Sequence, residues 1–363
     1  MTAIRPRPGI LDIEPYVGGE AAIPGVNRVI KLASNESALG PSPLAVQAIH
    51  EAAAASHRYP DGGCTALRNA LADLHGLDAG RIVCGAGSDE LIGLLCRAYA
   101  GVGDEVLHTE HGFLMYAIAA RTGGATPVAA PETALTADVD ALLAHVTPQT
   151  RLLFLANPNN PTGTYLPADA LRRLREELPA EVLLVIDAAY AEYMDADDYA
   201  DGLDLVEAFA NVVVTRTFSK IFGLGAVRLG WAYCPAAIAD VLNRVRNPFN
   251  VSTPAQAAGV AALGDQDFVA AAKAHNTRWR EWTTERLRAI GLTVPTSHGN
   301  FVLVRFATEP GRDAPAADAF LKSRGIIARR MAAYRLPDAL RISIGAEDEM
   351  RACVSVLNDF MSR

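Results

Sequence analysis

A lysine, an arginine and two hydroxyl side chains follow one short apolar run in the middle of the chain. The run is VVVT at 212–215; Thr217, Ser219 and Lys220 come shortly after it, and Arg228 stands eight residues beyond the lysine. Hydroxyl groups and a planar guanidinium suit the oxygens of a phosphate group. A lysine that lies close to other cations and is partly removed from water becomes nucleophilic. The stretch predicts a phosphate beside a reactive amine, although a surface turn with an unrelated arginine would contain the same residues.

A carboxylate and a phenol follow a second apolar run. Asp187 comes directly after VLLVI at 182–186, and Tyr190 stands three residues later. An unpaired carboxylate at the edge of a buried region is costly, so Asp187 needs a cation or an N–H group, and a protonated pyridine nitrogen would serve. Tyr190 could then reach a phenolic oxygen on the same ligand. Taken alone, an aspartate that caps a helix is the commoner explanation.

Two further polar stretches also follow apolar runs. In GAGSDE, at 85–90, the glycines allow a close backbone approach, and Ser88 or Asp89 is expected to cap a helix whose free N–H groups could bind an anion. A plain capped turn explains this motif more simply, and it is not a nucleotide-binding pattern. In NPNNPTG, at 157–163, Asn160 is a rigidly held amide donor or part of a simple Asn-Pro turn. A single ligand with a phosphate, a protonated ring nitrogen, a phenolic oxygen and an aldehyde would satisfy all four stretches, which describes pyridoxal 5′-phosphate.

The elements that must position these residues are apolar strands alternating with helices. The strand candidates are IVC (82–84), EVLHT (105–109), ATPVAA (125–130), RLLFLA (151–156), EVLLVI (181–186) and NVVVT (211–215). Helical patterns cover 43–55, 65–75, 167–178, 254–290, 315–324 and 347–362. This alternation predicts an α/β fold with a mostly parallel sheet covered by helices on both faces. Ligands of such sheets bind beyond the carboxyl ends of the strands, where the four polar stretches should meet.

Changes in composition and in predicted elements along the chain suggest three regions. Residues 1–33 are rich in proline and glycine and are predicted to form an N-terminal arm that packs on a small domain or on a partner subunit. Residues 34–250 would form the large cofactor-binding domain. Residues 251–363, which contain the strand NFVLVRF (300–306), would form a smaller α/β domain after the NPFNVSTP segment at 247–254.

Composition excludes several classes of protein. The chain has 363 residues, half of them apolar, and a formal net charge of −8, so neither nucleic acid nor an anionic membrane is an expected partner. The cysteines at 64, 84, 96, 234 and 353 form no CxxC pair, which argues against a disulfide framework or a zinc site and for a reducing compartment. No apolar stretch has the length of a signal-peptide core or a membrane span. We therefore expect a cytoplasmic enzyme without a structural metal.

The motifs resemble those of the histidinol-phosphate aminotransferases, a family of fold-type I, class I and II pyridoxal-phosphate enzymes. The matching stretches, in chain order, are LASNES (32–37), RYPDGG (58–63), GAGSDELI (85–92), EHGFLMY (110–116), NPNNPTG (157–163), IDAAYAEY (186–193), TRTFSKIFGLGAVRLGW (215–231), GNFVLVRF (299–306), GIIARR (325–330) and LRISIG (340–345). The resemblance implies a large domain with a mostly parallel sheet of the seven-stranded type and a smaller α/β domain.

The resemblance also implies roles for individual residues. Lys220 would hold the cofactor covalently and then move a proton, Asp187 would pair with the ring nitrogen, and Tyr190 and Asn160 would bind the ring oxygen. The residues implied for the cofactor phosphate are Ser88 and Asp89, largely through their backbone N–H groups, together with Thr217, Ser219 and Arg228. Tyr59, in RYP, would reach the phosphate in the other subunit, which implies a homodimer with shared sites.

The residues implied on the substrate side are Tyr16, Asn35, Arg329 and Arg341. Arg330 and Arg335 lie nearby in sequence and are expected to be surface charges. Phe113, in EHGFLMY, stands where the family often has a tyrosine stacked on the cofactor ring. A phenylalanine still offers an aromatic face, but it lacks the hydroxyl.

An arginine pocket could bind either a phosphate or a carboxylate, so the substrate stays open at this point. The favoured reaction is transamination of histidinol phosphate with 2-oxoglutarate, giving imidazole acetol phosphate and glutamate in histidine biosynthesis by a ping-pong cycle. The alternatives are an aromatic amino acid aminotransferase, an enzyme with both specificities, or a decarboxylase of a phosphorylated amino acid. A transcription regulator on the same scaffold is disfavoured because the arm before the first motif is too short for a DNA-binding domain.

Overall fold

The structure is a computed structural model, and it describes residues 4–16, 18–26 and 28–363. Its strands, in chain order, are β1 (Ile30–Lys31), β2 (Ile82–Gly85), β3 (Glu105–Thr109), β4 (Thr126–Ala130), β5 (Glu132–Thr133), β6 (Thr136–Ala137), β7 (Thr150–Ala156), β8 (Leu183–Asp187), β9 (Val212–Thr217), β10 (Gly230–Tyr233), β11 (Phe301–Arg305), β12 (Ile326–Ile327), β13 (Arg329–Arg330) and β14 (Ala339–Ser343). Its α-helices are α1 (Pro43–Ala53), α2 (Thr65–His75), α3 (Ser88–Tyr99), α4 (Met115–Gly123), α5 (Val139–Ala144), α6 (Ala168–Glu177), α7 (Leu203–Ala208), α8 (Ala236–Val245), α9 (Thr253–Gly264), α10 (Gln266–Ala289), α11 (Ala314–Ser323) and α12 (Glu347–Met361).

A seven-stranded sheet forms the centre of the fold, with strand order β2-β10-β9-β8-β7-β3-β4. Strand β10 runs antiparallel to both of its neighbours, while the pairs formed by β9, β8, β7, β3 and β4 are parallel. The predicted α/β fold with a mostly parallel sheet is confirmed. The sequence analysis did not identify β10, because it lies within the glycine-bearing TRTFSKIFGLGAVRLGW stretch.

Helices cover both faces of this sheet, which explains why its strands are nearly continuous apolar runs. One face packs against α3, α4 and α8, through side chains such as Leu91, Ala119 and Leu242. The other face packs against α2, α6 and α9, through side chains such as Leu71, Leu171 and Ala258. The carboxyl ends of the parallel strands are thereby left open at one edge.

A three-stranded antiparallel sheet, β11-β14-β13, lies in the C-terminal third and shares a core with α10, α11 and α12. Strand β1 pairs in parallel with β12, with Ile30 opposite Ile326, so the chain directly before LASNES is tied to the C-terminal region. The helical pattern at 254–290 is two helices, because Asp265 accepts a hydrogen bond from the backbone N–H of Phe268 and begins α10. The proposed boundaries at 33 and 250 stay predictions.

Across residues 4–16, 18–26 and 28–363, no helix combines the length and the hydropathy needed to cross a membrane.

Candidate active site

A cavity of about 290 Å³ opens at the carboxyl ends of the parallel strands, where the sequence predicted a ligand. It is lined by all but one of the predicted site residues: Tyr16, Asn35, Ser88, Asp89, Phe113, Asn160, Asp187, Tyr190, Thr217, Ser219, Lys220, Arg228, Arg329 and Arg341. The exception is Tyr59, which lies outside the cavity. The four polar strand-end stretches therefore meet in space.

At one end of the cavity, hydroxyl and guanidinium groups form a cradle. Thr217 ends β9, and its Oγ1 accepts a hydrogen bond from the backbone N–H of Ser219 at 3.1 Å. Arg228 has a left-handed backbone (φ 58°) and donates to the Ser219 Oγ at 3.3 Å and to the Asp89 Oδ2 at 3.2 Å. A side chain at Gly87 would place its Cβ 2.3 Å from the Arg228 Nη2 and would displace the guanidinium, and the backbone φ of 90° also favours glycine there. The arginine thus closes back onto the loop before α3, as an anion-binding cradle requires.

The predicted capping of α3 by Ser88 or Asp89 is wrong. Gly87 occupies the N-cap position with φ 90°, which places Ser88 in the first turn of the helix, and Asp89 pairs with Arg228 instead. The carboxylate of Glu90 accepts hydrogen bonds from the backbone N–H of Ala86 at 2.6 Å and from the Asn250 Nδ2 at 2.7 Å. Gly87 contributes no side chain to the cap, so the N-terminal N–H groups of α3 stay directed at the cradle.

Asp187 ends β8 and is buried, with only 5 % of its surface exposed. Tyr116 donates a hydrogen bond to its Oδ2 at 2.7 Å, and the Thr215 hydroxyl lies 3.4 Å from its Oδ1. Burial raises the pKa of Asp187 to about 6, while these two hydrogen bonds act to lower it. A buried carboxylate held in this way is suited to pair with a cation that enters the cavity.

Tyr116 was not singled out by the sequence analysis. Its hydroxyl reaches Asp187 from α4, and its ring stacks on Phe154 with centroids 4.8 Å apart. The available signal was the F-x-x-Y spacing in EHGFLMY, because a turn that leads into a helix brings residues three apart together; here the Tyr116 N–H donates to the Phe113 carbonyl at 3.0 Å. Phe113 lines the cavity just before α4, and its ring meets that of Tyr116 edge-on at 5.9 Å.

Lys220 lines the same cavity as the cradle and Asp187. Its Nζ is 5.8 Å from the centroid of the Tyr190 ring, and the Asn35 Nδ2 donates to the Tyr190 hydroxyl at 2.9 Å. The turn after Lys220 is tight: a Cβ at Gly223, whose φ is 68°, would lie 2.1 Å from the Gly40 carbonyl oxygen. An amine, a phenol and a carboxylate therefore face one small space.

The opposite end of the cavity contains a buried arginine. Arg341, in β14, is 6 % exposed and donates to the Ala33 carbonyl at 2.9 Å and to the Asn160 Oδ1. Within the described part of the chain, its Nε has no hydrogen-bond partner. Burial lowers the pKa of Arg341. The two oxygens that accept from Arg341 are neutral, so they do not offset the charge of the guanidinium. That charge is available to an anionic ligand.

The other residues predicted for the substrate come from distant segments. Asn35 adopts a left-handed backbone (φ 54°), and its N–H donates to the Ser343 Oγ at 2.7 Å. The Arg329 guanidinium lies 6.0 Å from the centroid of the Tyr16 ring. Arg335, 65 % exposed in its side chain, pairs with Glu110 at 3.5 Å; neither Arg335 nor the exposed Arg330 lines the cavity.

Comparison with known proteins identifies the family. The model for aminotransferase class I and II matches residues 27–357. The chain is 62% identical over 361 residues to the histidinol-phosphate aminotransferase of Paramagnetospirillum magneticum and 61% identical over 356 residues to that of Rhodospirillum centenum; it covers 99% and 98% of these relatives, which in turn cover 99% and 98% of it. The chain belongs to the histidinol-phosphate aminotransferase family. The resemblance drawn from the motifs is confirmed.

A solved member of the family has the same fold. The histidinol-phosphate aminotransferase from Sinorhizobium meliloti, solved in complex with pyridoxal-5′-phosphate, superimposes with a TM-score of 0.90 at 30% sequence identity, with 99% of this chain and 98% of that chain covered. Within this family fold, Tyr59 is the predicted site residue that the cavity does not include. It is 82% exposed and stacks on Phe249 with centroids 4.7 Å apart.

Proposed function

We propose that this chain uses pyridoxal 5′-phosphate to transfer the amino group of histidinol phosphate to 2-oxoglutarate, giving imidazole acetol phosphate and glutamate in histidine biosynthesis. The observation that carries the proposal is the meeting of Lys220, Asp187 and the Thr217–Arg228 cradle in one cavity. The relatives that are 58–62% identical over nearly the whole chain carry the name of this enzyme.

The residues of the cavity fit the proposed cofactor. The cradle offers hydroxyls, N–H groups and a guanidinium to a phosphate, and the glycine at position 87 leaves room for Arg228. Buried Asp187 needs a cation, which the protonated ring nitrogen supplies. When bound, the cofactor acts as an electron sink that makes the hydrogen on the substrate's amino-bearing carbon acidic.

The chain's own residues would bind the cofactor and move the proton. Lys220 would be the covalent anchor and, once released, would take the proton from the substrate's amino-bearing carbon and deliver it to C4′, the former aldehyde carbon of the cofactor. Asp187 holds the ring nitrogen, and Tyr190 donates to the ring oxygen. Because the Asn160 Oδ1 already accepts from Arg341, its amide nitrogen is left as a donor to that same oxygen. Phe113 offers an aromatic face to the ring. The residues we assign to the phosphate are Ser88 and Asp89, largely through their backbone N–H groups, together with Thr217, Ser219 and Arg228.

Substrate anions would bind at the opposite end. Arg341 is buried among neutral acceptors and suits a carboxylate or a phosphate, while Arg329 and Tyr16 lie together on the outer side. Asn35 supports Tyr190 and joins this end to β14 through Ser343. This arrangement can accept the phosphate of histidinol phosphate and, in the second half-reaction, a carboxylate of 2-oxoglutarate.

We further propose a homodimer in which Tyr59 completes the phosphate site of the partner subunit. Tyr59 and Phe249 form an exposed aromatic pair outside the chain's own cavity. Exposed apolar side chains also occur on α1 and α9, which pack against each other: Leu44, Val46 and Val260. Apolar surface of this kind is typical of an interface between subunits.

A cytoplasmic location is the remaining part of the proposal. All five cysteines, at 64, 84, 96, 234 and 353, are free and buried, which agrees with a reducing compartment.

A half-reaction assay tests the proposed function. The purified protein, loaded with pyridoxal 5′-phosphate, is mixed with histidinol phosphate without 2-oxoglutarate, and released imidazole acetol phosphate is quantified by mass spectrometry. We expect one equivalent of product per site, and multiple turnovers only after 2-oxoglutarate is added. Unphosphorylated histidinol is the matched control and should react far more slowly.

Three outcomes would overturn this assignment. Product from phenylalanine or tyrosine, but not from histidinol phosphate, would make the protein an aromatic aminotransferase. Carbon dioxide released from a phosphorylated amino acid, without transfer of the amino group, would make it a decarboxylase. Equal rates with histidinol and histidinol phosphate would show that the phosphate group does not contribute to substrate specificity.

A further inference from the structure

Tyr116 contacts the carboxylate of Asp187 but does not line the cavity. It is the second residue of α4, is fully buried, and donates to the Asp187 Oδ2 at 2.7 Å. Its ring is nearly parallel to that of Phe154, with an interplanar angle of 6°, and is perpendicular to that of Phe113. Packing between these two rings fixes the direction in which the hydroxyl points.

The groups around Asp187 come from four elements. Tyr116 of α4 and Thr215 of β9 approach its two oxygens; Asp89 of α3 and Tyr190, just beyond β8, are the nearby titratable groups, and Lys220 and Arg228 line the same cavity. Burial and the charge of Asp89 raise the pKa of Asp187, and the hydrogen bonds from Tyr116 and Thr215 oppose that rise. Burial raises the pKa of Tyr116 well above its usual range, so Tyr116 remains a donor at physiological pH.

We propose that Tyr116 is a positioning residue that keeps Asp187 ionised and oriented toward the ring nitrogen of the cofactor. The proposal rests on the proposed function, in which Asp187 pairs with that nitrogen. A hydrogen bond from Tyr116 to one carboxylate oxygen stabilises the anion, while the other oxygen has only the longer hydrogen bond from Thr215 and keeps a lone pair for the ring nitrogen. Without the hydroxyl, the buried carboxylate takes up a proton more readily, and in its protonated form it cannot pair with a protonated ring nitrogen.

Tyr116→Phe tests the proposal because it keeps the stacked ring and removes only the hydroxyl. The dissociation constants of the apoprotein for pyridoxal 5′-phosphate and for its 1-deaza analogue, in which CH replaces the ring nitrogen, are measured by tryptophan fluorescence from pH 5 to 9. The two ligands carry the same phosphate and aldehyde, so titration of those groups affects both alike. Only the first ligand requires an ionised Asp187.

In the wild type, affinity for pyridoxal 5′-phosphate should fall as the pH drops through about 6, where Asp187 takes up a proton. In Tyr116→Phe we expect this midpoint to lie about one pH unit higher, because a hydrogen bond to a charged group has been lost. Near pH 6 the variant should then bind the cofactor about fivefold more weakly, the difference should approach about tenfold at lower pH, and the two proteins should agree at pH 9. The pH profile for the analogue should not change.

Tyr233→Phe is the matched control. Tyr233 is also a buried tyrosine whose hydroxyl donates to a carboxylate, that of Glu207, but it lies outside the cavity. This variant should follow the wild-type profile for both ligands. Thr215→Val removes the longer hydrogen bond to Asp187 and should shift the midpoint in the same direction by a smaller amount.

If Tyr116→Phe weakens the binding of both ligands equally at every pH, then Tyr116 contributes only packing to the site and the proposal is overturned. The failure of the underlying function would look different: wild-type apoprotein would then bind neither ligand, or would not distinguish between them. Asp187→Asn should abolish the difference in affinity between the two ligands. If the pH profile changes in Asp187→Asn but is not shifted in Tyr116→Phe, then only the role of Tyr116 is rejected.

Discussion

The two ends of the cavity are assembled in different ways. At the cofactor end, Thr217, Ser219, Lys220 and Arg228 come from one short stretch of chain, and hydrogen bonds within that stretch hold them together. At the substrate end, the side chains come from the N-terminal segment and from two segments near the C-terminus. Pairing of β1 with β12 and the contact of Asn35 with Ser343 bring these distant segments together. The residues that we propose for the cofactor therefore lie close together in sequence, whereas those that we propose for the substrate meet only in the folded chain.

The principal arginines of the two ends also differ, in their exposure to solvent and in their partners. The Arg228 side chain is 46% exposed and already pairs with Asp89. Arg341 is buried, and its recorded partners are the neutral oxygens of Asn160 and Ala33. A buried cation without a carboxylate partner gains more from an anionic ligand than a half-exposed and already paired one does. Variants at the two ends should separate these effects.

The largest expected effect is at the cofactor end. Lys220→Ala removes both the covalent anchor and the group that moves the proton, so turnover should fall by about 10⁴-fold or more. Steady-state rates and the mass of the protein after borohydride reduction provide the measurement. Lys273→Ala, on α10, is the control and should retain both the activity and the reducible adduct at Lys220. A reducible adduct in Lys220→Ala would reject the assignment of this lysine.

A change at Asp187 should stabilise the apoprotein while it abolishes function. The pKa of Asp187 in the folded chain, about 6, lies above the ordinary value of 3.8, so folded apoprotein binds a proton more tightly than the unfolded chain does. Its stability must therefore fall as the pH rises from about 4 to about 6, and the full penalty is present above that range. Asp187→Asn removes this penalty of about 3 kcal/mol.

Thermal unfolding of the apoproteins at pH 5 and pH 8 measures this prediction. Asp187→Asn should melt several degrees above the wild type at pH 8 and should show a smaller gain at pH 5. Asp240→Asn, at an exposed position on α8, should change little at either pH. A lower melting temperature for Asp187→Asn at pH 8 would contradict the prediction.

At the substrate end, Arg341→Lys keeps the charge but loses the planar fork. We expect the KM for 2-oxoglutarate to rise by about 10- to 100-fold, with a smaller change in kcat. Arg335→Lys is the matched control, because Arg335 pairs with Glu110 outside the cavity. Equal KM values for the Arg341→Lys variant and the wild type would show that the acceptor does not bind to this guanidinium.

The smallest expected effect is that of Arg228→Lys. Since Arg228 is half exposed and one of several phosphate-binding groups, we expect about tenfold weaker binding of pyridoxal 5′-phosphate by the apoprotein. Its matched control is Arg244→Lys, on the surface of α8. If Arg228→Lys weakened ligand binding more than Arg341→Lys did, the burial argument that distinguishes the two ends would be wrong.

Several structural features could not be predicted from local sequence. Strand β10 pairs antiparallel between β2 and β9, and its short GWAY segment resembles the end of a loop until those neighbours are in place. The capping of α3 was assigned to the wrong side chains, because the positive φ of Gly87 moves the helix start by one residue. Tyr116 was missed because the F-x-x-Y spacing does not show which of the buried aromatic rings will face Asp187.

The sequence by itself determined the family, the alternation of strands and helices, and the chemical groups that follow each strand. These properties depend on residue types and short spacings, which a linear chain displays directly. Tertiary structure alone decided that Arg341 donates to Asn160, that Asn35 supports Tyr190, and that Tyr116 holds Asp187. Each of these contacts joins residues that are distant in sequence, so it forms only when packing of the sheet and helices offsets the entropy of closing the chain between them.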